Sequence, residues 1–268
     1  MKISVLIPSR GRPQLLQECV TSLHVRASGR HEITYAIGCD SDDHQTMAMS
    51  HVMRWAHGMP VAVHCAVRRP SLGQIANDLA LAYPADIYCS LCDDIVAQTA
   101  GWDEAIAQTW RERPDGVWWW NNRTNATYAI VSEKWRAAAG RIFTDYFCFW
   151  WDDLWLLQVW KYASGEHILT ANAWLDDRAP STQRMRDLEC WAKFYWSRGE
   201  ERLAEARRIA AALGWPRITA PSRRELRPDP AFARRLTVIQ DHQGEKAPPT
   251  PEYVRALRRV QTIMRQAA

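Results

Sequence analysis

The sequence predicts an α/β fold, a mostly parallel sheet with helices on both of its faces. Four short apolar segments alternate with segments whose apolar residues recur at helical spacing, which is the pattern of successive βαβ units. The chain of 268 residues is 47% hydrophobic and 24% charged. This globular balance excludes a disordered chain, a collagen-like fibre and a coiled coil.

The alternating elements occupy the first part of the chain. Pro13 stands near the start of the first helix, where its missing N–H costs nothing. The acidic residues at 40–43 precede the second helix, where they can cap it. The predicted strands are Ile3–Ile7, 31–40, Val61–Val67 and 85–94, and the predicted helices are 13–23, 41–58 and 71–83.

The second part of the chain mixes strands with helices and then becomes helical. Gly214 is expected to end one of the last helices and Pro251 to begin another. We therefore expect a first domain at 1–180 and a helical C-terminal region at 181–268. The predicted elements are a helix at 101–113, a strand at 116–120, a strand passing into a helix at 128–140, an aromatic helix at 147–163, a strand at 167–177, and helices at 200–214 and 251–266.

The two regions differ in charge. Residues 181–268 carry 18 Lys or Arg against 10 Asp or Glu, whereas residues 1–180 carry 16 against 20. A basic region of this kind suits a polyanion such as DNA, and it equally suits a set of solvated helices.

Several classes of protein are disfavoured. No apolar stretch approaches the roughly 18–20 residues that span a bilayer, and Pro8 and Arg10 interrupt the apolar start, so we expect no signal peptide and a cytoplasmic protein. The G-x-x-x-x-G-K-[ST], G-x-G-x-x-G and G-x-S-x-G motifs are missing, which speaks against an ATPase, a dinucleotide enzyme and an α/β-hydrolase. Cys89 and Cys92 form a lone C-x-x-C in an apolar segment and are expected in the core.

Tryptophan is in excess. Ten of the fifteen tryptophans lie between Trp102 and Trp160. Such a cluster is either core or a flat platform for sugars and bases, and composition does not distinguish the two.

Acidic residues follow two of the predicted strands. Asp93 and Asp94 come directly after an apolar segment, where two carboxylates can hold Mg²⁺ or Mn²⁺ bridging a diphosphate. Asp40 ends the second strand, where it can accept hydrogen bonds from a ribose or a base. In each case the alternative is a helix cap or a solvated turn.

Three further groups of residues can carry chemistry. Asp152 and Asp153 lie among tryptophans, where partial desolvation raises a carboxyl pKa and suits a general base; the alternative is charge complementing a helix dipole. Basic residues at predicted strand ends can meet phosphate oxygens or form surface ion pairs; they are Arg10, Arg12, Arg68 and Arg69. His167 and Asp177 are possible further metal ligands.

These segments together resemble the family 2 glycosyltransferases. The opening ISVLIPSRGRPQLLQECVTSL is similar to the family's strand, P-[ST]-x-[NG]-R loop and helix. LGQIANDLA, which contains Asn77, resembles its Gly and Asn segment. YCSLCDDI followed by GWDEAI resembles its D-x-D region as found in related phage proteins, although C-D-D replaces D-x-D and leaves the register open. WWDDLWL resembles the acidic motif that supplies the base of inverting members. The likeness covers about residues 1–180.

The resemblance implies a GT-A-like fold, a nucleoside-diphosphate sugar donor such as a UDP-sugar, and a Mn²⁺ or Mg²⁺ ion. By carry-over, donor-binding residues would be Pro8, Ser9, Arg10, Asp40, Arg68, Asn77 and Asp93. Asp94 would ligate the metal, with Asp177 or His167 in place of the family's metal histidine. Asp152 or Asp153 would deprotonate the acceptor hydroxyl of an inverting reaction.

We therefore expect a metal-dependent glycosyltransferase. DNA with a hydroxylated base, as some phage enzymes use, is the favoured acceptor, and a cell-surface saccharide is the competing one. A protein of phage origin would act in the host cytoplasm. A non-catalytic nucleic-acid-binding module on the same fold is the alternative, with a sugar nucleotidyltransferase ranked last.

Overall fold

A computed structural model describes residues 1–66, 71–122, 127–148, 151–178, 187–216 and 249–266. The strands are β1 (Lys2–Pro8), β2 (Glu32–Asp40), β3 (Val61–Ala66), β4 (Ile87–Ser90), β5 (Ile95–Ala97), β6 (Val117–Asn121), β7 (Ala129–Ser132) and β8 (Thr170–Asp177). The helices are α1 (Pro13–Arg26), α2 (His44–Ala56), α3 (Leu72–Ala82), α4 (Trp102–Glu112), α5 (Glu133–Ala139), α6 (Asp152–Ser164), α7 (Leu188–Ser197), α8 (Gly199–Ala212) and α9 (Pro251–Gln266).

The described strands form one sheet in the order β3-β2-β1-β4-β7-β6-β8-β5. Strands β3, β2, β1 and β4 run parallel to one another, and β6 is parallel to β8. Strand β7 runs antiparallel to β4 and β6, and β5 runs antiparallel to β8. The prediction of a mostly parallel α/β sheet is confirmed, with the antiparallel pairs confined to the β7 side.

The strand predicted at 85–94 is too long. Strand β4 ends at Ser90, residues 91–94 form a turn, and Ile95 begins the short strand β5, which the sequence pattern does not predict. The antiparallel pairing of Ile95 with Asp177 carries the chain away from β4. As a result Asp93 and Asp94 lie in a turn between two strands.

Helices cover both faces of the sheet, as predicted. Buried residues of α1, α2 and α4 pack on one face, and buried residues of α3 and α5–α9 pack on the other. The tryptophan cluster belongs to this core, so the alternative of a solvent-facing platform is wrong for its buried members. These are Trp102, Trp118, Trp119, Trp120, Trp135, Trp151, Trp155 and Trp160; Trp150 lies outside the described residues. Cys89 is also buried, as expected, whereas Cys92 is partly buried against this core.

The C-terminal helices share this core. Leu203 and Ile209 of α8 are buried together with Tyr253 and Val260 of α9. Helix α9 begins at Pro251, as predicted, and its outward face is basic. Within the described parts of the chain, we find no helix with both the length and the apolar content needed to cross a membrane.

Candidate functional site

Three neighbouring parallel strands bring predicted site residues to one edge of the sheet. Ser9 follows β1, Asp40 ends β2, and Asp93 and Asp94 follow β4. Strand β1 lies between β2 and β4, so the three loops are adjacent at the carboxyl ends of the strands. Ligands of open α/β sheets bind at this edge.

Asp93 is the buried centre of this edge. Its side chain is 0% exposed, and the Ser9 hydroxyl donates to its Oδ2 over 2.6 Å. The guanidinium of Arg12 forms an ion pair with its other oxygen. Burial raises the pKa of the Asp93 carboxyl, and the charge of Arg12 and the hydrogen bond from Ser9 offset part of that rise. Asp93 therefore holds the side chains of Ser9 and Arg12 in place from the protein interior.

Asp94 is the more accessible of the two aspartates. Its side chain is 14% exposed, and its Oδ2 accepts a hydrogen bond from Nη1 of Arg12 over 2.9 Å. Its backbone oxygen accepts from the N–H of Arg178 over 2.7 Å. Since Asp177 precedes Arg178 and pairs with Ile95, the backbone of Asp177 lies beside the turn that carries Asp94.

Arg10 organises a second set of carboxylates at the end of β2. Its guanidinium forms an ion pair with Asp40 and two hydrogen bonds with Asp42, over 2.6 and 2.9 Å. The hydrogen bonds and charges of these two aspartates raise the pKa of Arg10. Asp43 accepts from the backbone N–H of Gly11 over 2.7 Å and caps α2, as the sequence predicted for this acidic cluster. The loop after β1 is thereby tied to the loop after β2.

Asp152 and Asp153 begin helix α6 immediately after a strained residue. Trp151 has φ = 84°, a left-handed conformation that a bulky side chain rarely adopts. Its ring packs on Tyr195, with centroids 5.1 Å apart. Strain of this kind costs on the order of 1–3 kcal/mol and clusters at functional sites. The two adjacent carboxylates therefore follow a residue that packing on Tyr195 holds in this conformation.

The two carboxylates of this pair differ in their contacts. The Thr144 hydroxyl donates to Oδ1 of Asp152 over 2.8 Å, and Oδ1 of Asp153 accepts from the N–H of Leu154 over 2.8 Å. Burial raises the pKa of Asp152 well above its ordinary value and raises the pKa of Asp153 to about 6. Asp153 therefore titrates close to neutral pH.

Helix α3 connects the two acidic pairs. The helix follows β3, so its first turn lies at the same edge of the sheet as the carboxyl ends of the parallel strands. A Cβ at Gly73, in that first turn, would lie 2.8 Å from Oδ2 of Asp152. The pair Asp152 and Asp153 therefore lies at the same edge as Asp93 and Asp94.

Asn77 holds a loop. Its Nδ2 donates to the backbone oxygen of Phe143 over 2.8 Å, and its Oδ1 accepts from the N–H groups of Ile142 and Phe143 over 2.9 and 3.1 Å. That loop leads to Thr144, which binds Asp152. Asn77 therefore holds the loop that presents Thr144 to Asp152.

The remaining predicted residues are Pro8, two arginines, His167 and Asp177. Pro8 ends β1 and pairs in register with Gly38, whereas Arg68 and Arg69 lie outside the described residues. His167 precedes the amino end of β8, and Asp177 ends the same strand. At about 3.3 Å per residue the two are more than about 20 Å apart along the strand. This separation excludes His167 as a ligand of an ion held by Asp94.

Sequence reasoning missed two contacts of the site and left a third open. The sequence allowed Arg12 either a phosphate contact or a surface ion pair; the structure shows ion pairs, with Asp93 and Asp94 as the partners. Thr144 and the close approach at Gly73 had no signal, because both depend on loops that meet only in the folded chain.

The chain resembles solved structures in fold. No protein-family model and no curated protein matches its sequence. S. aureus TarS 1-349 in complex with UDP-GlcNAc matches with a TM-score of 0.58 and 11% identity, over 80% of this chain and 72% of that chain. The mannosyltransferase PcManGT from Pyrobaculum calidifontis, in complex with GDP-Man and Mn²⁺, matches with a TM-score of 0.56 and 13% identity, over 99% of this chain and 85% of that one.

A longer TarS structure gives the same result with lower coverage. It matches with a TM-score of 0.56 and 12% identity over 80% of this chain, but this chain covers 43% of TarS. The chain thus spans less than half the length of that protein. At such identities the likeness concerns the course of the backbone. Together with the strand order, it shows that this chain has a GT-A-like fold.

Proposed function

We propose that the protein is a glycosyltransferase that moves a sugar from a nucleoside-diphosphate sugar to an acceptor hydroxyl. The observation that carries this proposal is the set of arginines and carboxylates gathered at the ligand-binding edge of a GT-A-like sheet; they are Arg10, Arg12, Asp40 and Asp94. The solved structures with this fold support it, since one is a mannosyltransferase with GDP-Man and another holds UDP-GlcNAc. We propose a UDP-sugar as the first candidate donor.

In this proposal the donor nucleotide lies over the ends of β1 and β2. Asp40 is positioned to accept hydrogen bonds from the ribose or base once Arg10 moves toward the phosphates. Pro8 and Ser9 line the floor. Asp93, which is fully buried, acts by holding Ser9 and Arg12. Arg68 and Asn77 complete the proposed donor set, with Asn77 acting through the loop at 142–144.

The residues at the β4–β5 turn fit a divalent cation. Among the described residues no three His, Cys, Asp or Glu side chains converge on one point. Mg²⁺ is commonly bound by one or two carboxylates together with waters and substrate phosphates, and Mn²⁺ shares its preference for oxygen ligands. Asp94 would supply one carboxylate, and Asp177 is the proposed second; the backbone of Asp177 lies beside the turn, and its side chain is not among the described parts of the chain. A bound Mn²⁺ or Mg²⁺ would offset the charge that develops on the leaving diphosphate.

Asp153 is the proposed general base. Oδ1 of Asp152 accepts a hydrogen bond from Thr144 and its Oδ2 lies against the first turn of α3, whereas Asp153 has a pKa of about 6. Asp153 would take the proton of the acceptor hydroxyl while the hydroxyl oxygen bonds to the anomeric carbon. The bond from that carbon to the diphosphate oxygen breaks on the opposite side, which inverts the anomeric configuration.

For the acceptor we propose a polyanion, with DNA that carries a hydroxylated base, as in a phage-type reaction, in first place. The support is the basic outer surface of the C-terminal helices, where Arg207, Arg208, Arg258 and Arg265 are exposed. Residues 1–180 would then serve the donor and 181–268 the acceptor. A surface saccharide is the competing acceptor.

The second candidate is a nucleic-acid-binding module without turnover. It is favoured by the ion pairs of Arg12 with both aspartates, which leave the turn at 93–94 partly neutralised. The two candidates make opposite predictions about the consumption of sugar nucleotides.

The test is an assay for release of nucleoside diphosphate. The protein is incubated with Mn²⁺ and a panel of UDP- and GDP-sugars, with no acceptor, with DNA bearing hydroxylated bases, or with a neutral saccharide. We expect release that chelation abolishes and that DNA increases. Salt-sensitive DNA binding without release from any sugar nucleotide would instead establish the binding module.

A further inference from the structure

Two cysteines on neighbouring strands touch each other. Cys39 of β2 and Cys65 of β3 are direct register partners in a parallel pair, and their sulfur atoms lie 3.1 Å apart. Adjacent strands are about 4.8 Å apart, and disulfides form across Cα separations of about 4.4–6.8 Å. The backbone is therefore already at the spacing that a disulfide needs.

The two thiols differ in their access to solvent. Cys65 is exposed, whereas Cys39 is 4% exposed. Of the seven cysteines, all of which the structure describes, Cys65 is the one that is exposed. Burial and the neighbouring sulfur raise the pKa of the Cys39 thiol. An external oxidant would meet Cys65 first, and Cys39 would be the resolving thiol.

We propose that Cys39 and Cys65 form a modification site that a small-molecule disulfide, such as oxidised glutathione, closes to an intramolecular disulfide. The Cys65 thiolate attacks one sulfur of the oxidant, forming a mixed disulfide and releasing one glutathione thiol. The Cys39 sulfur then attacks the Cys65 sulfur and releases the second. The protein loses two electrons and two protons, and the oxidant becomes two thiols.

The new bond would join the carboxyl ends of β2 and β3. Cys39 directly precedes Asp40, which pairs with Arg10 at the edge of the sheet. The modification is thus placed beside the candidate functional site. It depends only on the two thiols, and it holds whether or not the protein transfers sugars.

Peptide mapping of the full chain tests the proposal. Trypsin releases Cys39 in peptide 31–54 and Cys65 in peptide 55–68, each with a single cysteine. The folded protein is treated with oxidised glutathione, alkylated, digested without reductant and analysed by mass spectrometry. We expect these two peptides linked as the dominant product, and separated again by a thiol reductant.

Three variants define the outcome. Cys39→Ser should stop at a mixed disulfide of glutathione with Cys65, and Cys65→Ser should form no link. Cys190→Ser, at a half-buried cysteine on α7, should link as the parent does. A parent protein that only accumulates the mixed disulfide at Cys65, or that links Cys89 to Cys92 in preference, would overturn the proposal.

Discussion

The carboxylate of Asp152 lies directly against the bare Cα of Gly73. A methyl group at Gly73 would sit 2.8 Å from Oδ2 of Asp152 and 2.8 Å from Cβ of Phe143. Two segments far apart in the chain, the first turn of α3 and the start of α6, therefore meet at a point that only glycine allows. This contact joins the acidic pair at 152–153 to the edge where the parallel strands end.

Gly73→Ala should consequently destabilise the fold. Alanine gains about 1 kcal/mol over glycine in a helix, but overpacking of this kind costs about 1–3 kcal/mol and more where backbone resists. We expect a net loss of about 1–2 kcal/mol in the free energy of unfolding, measured by urea titration. Leu81→Ala, which trims a side chain that is 67% exposed on the same helix, is the matched control. Equal stability of the two variants would show that α3 and α6 do not meet in this way.

The contribution of Asp153 to the stability of the protein should fall as pH rises from about 4 to about 6. Burial raises the pKa of Asp153 from 3.8 to about 6, so the folded state disfavours its ionised form. The stability that the neutral form contributes is complete below the ordinary pKa and is lost as pH passes the raised one. Each pKa unit corresponds to about 1.4 kcal/mol, which gives a cost on the order of 3 kcal/mol at neutral pH.

Asp153→Asn tests this assignment. The amide cannot ionise, so the variant should be more stable than the parent above about pH 6 and equal to it near pH 4. The measurement is Tm across this range. Asp86→Asn, at an exposed carboxylate next to the amino end of β4, should follow the parent curve. If the variant were less stable than the parent at neutral pH, the carboxylate would be stabilising and the direction of its pKa shift would be wrong.

The same residue sets the expected pH dependence of activity. A general base acts when deprotonated, so kcat/KM for sugar transfer should rise with pH through about 6 and then level off. Asp153→Asn should reduce kcat by about 10²-fold or more and remove this rise. Asp152→Asn should retain a pH profile with the same midpoint. A rise that persists in Asp153→Asn would assign the base to another group.

Asp93 and Asp94 should respond differently to substitution. Asp93→Ala removes the buried acceptor of the Ser9 hydroxyl and the ion-pair partner of Arg12, and it should lower the free energy of unfolding by about 1–3 kcal/mol. Asp94→Asn changes a partly exposed group and should leave Tm near the parent value while abolishing Mn²⁺-dependent release of nucleoside diphosphate. Turnover of Asp94→Asn at the parent rate, with Mn²⁺ required, would remove Asp94 from the metal site.

The alternating part of the fold could be predicted because its signals are local. Strands β1 to β3 are apolar segments with clear ends, and Asp43 caps α2 from the predicted acidic cluster. Strand β5 could not be predicted in this way. It has three residues, too few to show an alternating pattern, and its pairing with β8 through Ile95 and Asp177 makes it a strand. That pairing joins residues that are distant in the sequence.

The site could be predicted in its acidic residues but not in their partners. A pair of aspartates after a strand is visible in the sequence, whereas the ion pairs of Arg12 with both depend on how the loop after β1 folds back. The three hydrogen bonds of Asn77 have the same origin, since they reach a loop about 65 residues later. Sequence patterns identify the groups that are available, and tertiary contacts decide which of them face a ligand.

The basic surface of α9 gives the last prediction. Truncation after about residue 200 is unsuitable as a test, because Leu203 and Ile209 of α8 belong to the core. Arg258 and Arg265 are exposed and lie seven residues apart, on one face of the helix. The double variant Arg258→Glu and Arg265→Glu should weaken DNA binding and reduce the slope of log K against log salt by about 2, since each phosphate contact contributes about 0.9.

The control reverses two charges elsewhere. Lys2→Glu with Arg30→Glu makes the same change in net charge at exposed positions near the amino ends of β1 and β2. Because that edge faces away from the candidate site, this variant should keep most of the affinity and slope of the parent. Both double variants should hydrolyse the sugar nucleotide alike in the absence of DNA. Equal loss of DNA binding in the two would mean that net charge alone attracts the polyanion, and that α9 has no special part in binding it.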